Sequence, residues 1–234
     1  MKKYLIFLFI AARLFLTYWY GNPTKTIEIP SYVNVQIIEL HPNGRTGRKL
    51  EKVRDIVIHY VGNPGTTAQG NHDYFSEYTT PVSSHFIVGL EGEIIQAIPL
   101  DEYSSASNWR NYDTISIEVC HLDESGQFTE VTTEALVTLC KWLLETYHLD
   151  SQNLIRHFDV TGKACPLYFV THPEAWEEFK ERVQSALEKD PQSESPFTLL
   201  HCKHQLGLNC ELAVNRGNGL PDSNRATLFN DFNR

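Results

Sequence analysis

The stretch RHFDVTGKACP, residues 156–166, sets a His, an Asp, a Lys and a Cys within nine residues and ends at Pro166. Imidazole and thiolate both suit Zn2+. A catalytic zinc needs three protein ligands from N, S or O donors and an open position for water. His157 and Cys165 are two such donors, and Gly162 permits a tight turn between them. A third donor, His59, lies in RDIVIHY, just before the chain breaks at GNPG. A loop of this length can bring His157 and Cys165 back to His59 at one end of a sheet. A plainer reading stands beside this one. A lone strand His is more often a hydrogen-bonded core or surface residue, and a lone Cys a small buried hydrophobe. Spacing alone leaves both open.

The surrounding pattern supplies the elements that would carry these residues. RDIVIHY reads as a strand with Ile56, Ile58 and Tyr60 on one face and Val57 and His59 on the other. Thr66 or Thr67 can cap a short helix running through Phe75. SSHFIVGLEGEIIQAIPL reads as two strands joined at Glu91-Gly92, a hairpin signal. DTISIEVC alternates again, with Ile115, Ile117 and Val119 on one face and Ser116, Glu118 and Cys120 on the other. Leu136, Leu139, Cys140, Leu143, Leu144 and Tyr147 form one apolar stripe, predicting a helix over 132–148. NLIRHFDV reads as a short strand or strand end. Pro173 suits a helix start, and Trp176, Phe179, Val183 and Leu187 mark that helix's buried side. Strands alternating with helices predict an α/β fold, a sheet with helices packed on its faces.

The totals narrow the function. The chain has 234 residues and a formal charge of −9, which excludes a nucleic-acid partner, because neutralising phosphates requires clustered Lys and Arg. Five cysteines, an odd count, argue against a disulfide framework. The first residues, MKKYLIFLFIAARLFLTYWY, carry two lysines and then a largely apolar run. Arg13 at a bilayer centre would cost roughly 2.5–3.5 kcal/mol. Residues 1–21 are expected to be a signal peptide or an uncleaved membrane anchor, with 22–51 as a linker or N-terminal extension. Residues 52–189 form the predicted catalytic domain. After Asp190 no period of 2 or 3.6 is sustained, and 190–234 is expected to be a poorly ordered tail. His201, Cys202, His204 and Cys210 fall there at a spacing unlike a zinc finger.

The segments IVIHY, VSSHFIVGLEGEIIQAIP, DTISIEVC and IRHFDVTGKACP, in this order, resemble the zinc-dependent N-acetylmuramoyl-L-alanine amidases shared by phage endolysins, bacterial autolysins and peptidoglycan recognition proteins. The resemblance covers roughly residues 52–187. It implies one catalytic domain with a mixed central β-sheet flanked by helices, and a Zn2+ held by His59, His157 and Cys165 in a surface groove. It implies hydrolysis of the amide between the lactyl group of N-acetylmuramic acid and L-alanine of the stem peptide. Glu118 is then the expected general base, since it shares a strand face with Ser116 and Cys120. Some members place a Tyr just before the SHF-type His; Ser84 stands there in this chain, which adds weight to Glu118. Lys163, two residues before a ligand, is expected to stabilise the developing oxyanion. His85 is expected to line the site, contacting substrate or orienting a neighbour. Asp159 is either a hydrogen-bond acceptor for a ligand histidine or a turn former. Where many members have a Trp-His-Ala-Gly-like segment, this chain has SSASNWRN; Asn108, Trp109 and Arg110 are expected to shape the groove, with Trp109 on the substrate.

The rival expectation is a non-catalytic module that binds peptidoglycan or muropeptide. Family members of that kind lose the Cys, whereas Cys165 stands here with both histidines, Lys163 and Glu118. The expected setting is extracytoplasmic, anchored in the membrane through the N-terminal segment or secreted to the wall, with the protein acting as a monomer.

Overall fold

A computed structural model describes residues 27–189. The predicted anchor over 1–21 and the predicted tail over 190–234 lie outside the described residues. Among the described residues no helix is long and apolar enough to cross a membrane.

Six strands form one mixed sheet: β1 (Val33–Val35), β2 (Asp55–Tyr60), β3 (Phe86–Val88), β4 (Ile94–Gln96), β5 (Thr114–Val119) and β6 (Leu154–Arg156). Their order across the sheet is β1-β4-β3-β5-β2-β6. Only the β3–β4 hairpin is antiparallel; β1–β4, β3–β5, β5–β2 and β2–β6 are parallel. Gly92 turns that hairpin at φ 81°, a left-handed angle that a side chain resists. The two longest strands, β2 and β5, sit side by side in the middle and pair His59 with Glu118. β6 flanks β2 with Arg156 opposite Ile58. The chain therefore leaves β2, β5 and β6 at the same edge of the sheet, the place where parallel sheets present ligand sites.

Five helices cover the sheet: α1 (Ala68–Ser76), α2 (Glu130–Tyr147), α3 (His157–Thr161), α4 (Leu167–Thr171) and α5 (Pro173–Glu188). α2 begins two residues earlier than its apolar stripe predicts, because Thr129 caps it by accepting from the Thr132 N–H. α1 starts at Thr67 in the same way, its hydroxyl accepting from Gly70. One layer of the core joins Ile56, Ile58, Ile115 and Ile117 to the buried stripe of α2 and to Trp176, Phe179 and Val183 of α5. The opposite layer packs Ile87, Ile95 and Cys120 against Ala68 and Phe75 of α1. The mixed sheet and its flanking helices agree with the expected fold class.

The structure departs from expectation between residues 27 and 51. This stretch, expected as part of a linker or extension, supplies the edge strand β1 and buries Val33, Ile38 and His41. Arg45 fastens it further: its guanidinium donates to both oxygens of the Glu102 carboxylate at 2.8 and 3.0 Å, and to the Ile38 carbonyl at 2.6 Å. Alternation in IEIPSYVNVQIIEL is broken into short runs by Pro30, too brief to mark a sheet strand apart from an extension.

Candidate active site

Three side chains meet where β2 and β6 end. The donor atoms of His59, His157 and Cys165 all lie within 4.8 Å of one another. Cys165 Sγ is 3.9 Å from His59 Nδ1, and the two imidazole rings stand 4.6 Å apart at 59°. Zn–N bonds of about 2.0–2.1 Å and Zn–S bonds of about 2.3 Å in a tetrahedron set donor separations near 3.3–3.6 Å. The observed separations, 3.9 Å from Cys165 Sγ to His59 Nδ1 and up to 4.8 Å across the trio, exceed that by up to about 1.5 Å.

Local structure explains how the trio assembles. His59 comes from the core face of β2 and is 1% exposed. His157 opens α3 directly after β6. Gly162 ends α3 at φ 79° and turns the chain, and the Phe158 N–H then bonds the Cys165 carbonyl at 2.9 Å. The loop thereby brings Cys165 under the two rings.

The electrostatics suit a cation. Burial holds His59 well below its usual pKa, with His157 and Lys163 adding to the shift. Burial and then Lys163 also lower His157. Both rings are therefore neutral, with lone pairs to share. Burial pushes the Cys165 thiol up to about 12, and Glu118 adds to that. A buried thiol between two neutral imidazoles lacks the positive charge that would ionise it, and a bound metal supplies that charge. His157 Nδ1 is buried without a hydrogen-bond partner among the described residues, an arrangement that costs free energy unless something occupies its lone pair. On these observations the donor set fits zinc.

Glu118 stands beside this cluster, its Oε1 4.0 Å from His59 Nδ1. Its Oε2 is buried and unpartnered. Burial pushes the carboxyl up to about 8, while Lys163 opposes the shift. Lys163 is exposed on the rim, two residues from Cys165. His59, Glu118, His157, Lys163 and Cys165 all line one open groove of about 1250 Å³, which continues past Asn71 and Tyr74 of α1 to Pro81 and Val82.

Three other predicted residues fall elsewhere. His85 is fully buried. Its Nε2–H donates to the Glu102 carbonyl at 2.8 Å and its Nδ1 accepts from the Ser116 N–H at 3.0 Å. With both nitrogens occupied inside the domain, it does not face the groove, and the substrate contact expected of it is not available. Trp109 is 62% exposed on a short 3-10 turn (Asn108–Arg110) whose neighbours Asn108 and Asn111 line the groove. Asp159 is the turn former: it accepts from the Arg156 backbone and guanidinium at 2.8 and 2.7 Å. The hydrogen-bond partners of the two candidate ligand histidines lie instead in the SSASNWRN segment. His59 Nε2 is 3.3 Å from Ser107 Oγ, and His157 Nε2 is 2.8 Å from Asn108 Oδ1.

Comparison with known proteins places the chain in a family. The family described as N-acetylmuramoyl-L-alanine amidase matches residues 49–167. The N-acetylmuramoyl-L-alanine amidase BlyA of Bacillus subtilis (strain 168) is 32% identical over 164 residues, covering 61% of this chain and 44% of BlyA. The N-acetylmuramoyl-L-alanine amidase CwlL of Bacillus licheniformis is 28% identical over 167 residues, covering 64% of this chain and 46% of CwlL. The chain thus spans less than half the length of these curated relatives. Among solved structures, a mutant endolysin from Bacillus subtilis superposes with a TM-score of 0.57 at 26% identity, over 64% of this chain and 97% of the endolysin. The catalytic domain of XlyA gives 0.58 at 25% identity, over 64% of this chain and 98% of that domain.

Proposed function

The chain belongs to the N-acetylmuramoyl-L-alanine amidase family, and from that membership we propose that it hydrolyses the amide between the lactyl group of N-acetylmuramic acid and L-alanine in peptidoglycan stem peptides. The observation that carries this reading is the convergence of His59, His157 and Cys165 within 4.8 Å, in a groove that also holds Glu118 and Lys163. In this reading His59, His157 and Cys165 hold a Zn2+. When bound, zinc polarises the scissile carbonyl and lowers the pKa of a water molecule toward ~7.

The chain's own residues do the rest. Glu118 takes a proton from the attacking water and returns it to the amine of L-alanine as the C–N bond breaks. Its carboxyl, raised to about 8 by burial, holds a proton readily, and positive charge at the metal position together with Lys163 restores the carboxylate for the first transfer. Lys163 places its ammonium at the rim, where a developing oxyanion would gain from it. Trp109 offers an exposed ring beside the groove for the glycan or peptide. Retention of Cys165 and Glu118 weighs against the rival reading, a module that only binds muropeptide. The substrate places the work outside the cytoplasm. The apolar segment MKKYLIFLFIAARLFLTYWY supports tethering to the membrane or export to the wall.

The test is zinc content of the full chain together with release of L-alanine amino termini from purified peptidoglycan, with and without a chelator. The expected result is one zinc per chain and chelator-sensitive release. Zinc without release would favour the binding module, and a folded chain that takes up no zinc would overturn the metal site.

A further inference from the structure

The outward nitrogens of both candidate ligand histidines are met by adjacent residues of one segment, Ser107 and Asn108. Nothing in the apolar patterning requires a polar residue at 108. Its backbone is nevertheless left-handed, φ 53°, a conformation that costs most residues free energy and that Asn tolerates better than most. The segment around it is braced independently of His157. Asn111 Oδ1 accepts from the Ala106 and Ser107 N–H groups at 3.2 and 2.6 Å. Arg110 donates to Asp113 at 2.7 Å and to Asp55, at the far end of β2, at 2.5 Å. The Asn108 carboxamide is therefore presented from a fixed platform at 2.8 Å from His157 Nε2. The other nitrogen of the same ring, Nδ1, is the buried atom without a partner.

We propose that Asn108 is a positioning residue for the metal centre: its Oδ1 accepts the Nε2–H of His157 and so selects the tautomer whose Nδ1 lone pair faces His59 and Cys165. This rests on the zinc reading given above. A ring free to carry its proton on Nδ1 would present an N–H to the cation and bind it poorly. Partners of this kind commonly contribute about 10–100-fold in metal affinity.

The side-chain chemistry allows a clean separation of roles. Asn108→Gly suits the left-handed backbone even better and deletes only the acceptor, whereas Asn108→Asp keeps an oxygen acceptor in place. The experiment is competition for Zn2+ between the full chain and a chromophoric chelator, with thermal unfolding of the metal-free forms and the visible spectrum of the Co2+-loaded forms. We expect Asn108→Gly to lose about 10–100-fold in zinc affinity and to shift the Co2+ bands, with an unchanged metal-free unfolding midpoint. Asn108→Asp is expected to retain the wild-type affinity. Wild-type affinity in Asn108→Gly would overturn the proposal. So would equal losses in both variants accompanied by a lowered metal-free midpoint, which would make the residue structural. A wild-type chain that takes up no zinc would overturn the metal reading itself, a failure visible before any variant is compared.

Discussion

At the scale of single residues, roles divide by what each group does to the metal and to the proton. Cys165→Ser removes the one sulfur donor of the candidate trio and should abolish zinc uptake and turnover together, read by metal content and amine release. Glu118→Gln keeps the shape of the pocket and should retain zinc while kcat falls by about 10²–10⁴; unchanged turnover would remove Glu118 from the proton pathway. The Cys165 thiol also sets a pH dependence. Since burial raises it to about 12, zinc must displace its proton, and apparent affinity should climb about tenfold per pH unit from pH 6.5 to 8.5. Chelator competition across that range checks the slope. His85 sets the opposite kind of limit. Burial lowers its native pKa to about 4, against about 6.5 in an unfolded chain. Between those values the unfolded state binds a proton that the native state refuses. Stability contributed by the neutral ring is therefore complete above pH 6.5 and falls as pH drops toward 4, by roughly 3 kcal/mol in all. Urea unfolding at pH 7 and 4.5 should show this slope in wild type and a flatter one in His85→Gln.

At the scale of elements, the attachment of residues 27–51 is the feature with the clearest energetic handle. Arg45 and Glu102 have side chains only 16% and 9% exposed, so Arg45→Ala leaves a largely buried carboxylate with only the exposed Lys49 ammonium, 3.6 Å away, to offset it. The expected loss is on the order of 3 kcal/mol, measured by denaturant unfolding, with β1 the first element to lose amide protection. Elements announced by periodicity matched their patterns: β2 and β5 by alternation, the β3–β4 hairpin by Glu91-Gly92, α2 and α5 by their apolar stripes. β1 showed only as a short alternating run after Pro30, while the Arg45–Glu102 pair that fastens the stretch joins residues no local pattern links. In the site, the trio and Glu118 were legible through the resemblance carried by four ordered motifs, since spacing alone left the plainer readings open. For His85 the sequence left two roles open, because a polar residue on a strand points equally well to a groove or to a buried carbonyl. Asn108 was visible as part of an unusual segment, but its bond to His157 depends on a left-handed φ that the sequence does not display.

At the scale of the whole molecule, a fragment beginning at residue 52 should be markedly less stable than one beginning at residue 27, because it exposes the open side of β4 and the apolar residues beneath Ile38. Paired thermal melts of 27–189 and 52–189 test this; equal midpoints would return 27–51 to the status of a linker. The donors also come from both ends of the domain. His59 stands on the second strand, while His157 and Cys165 follow the last. No partial chain that stops before Leu154 contains more than one of them. If the proposed amidase reading holds, the centre is therefore incomplete while the chain is being made. On that reading, the three donors come together only once β6 has paired with β2. Chains truncated just before Leu154 should be unable to hold zinc at any concentration where the complete chain is saturated, so the order in which the polypeptide emerges acts as a timer on its own hydrolytic power.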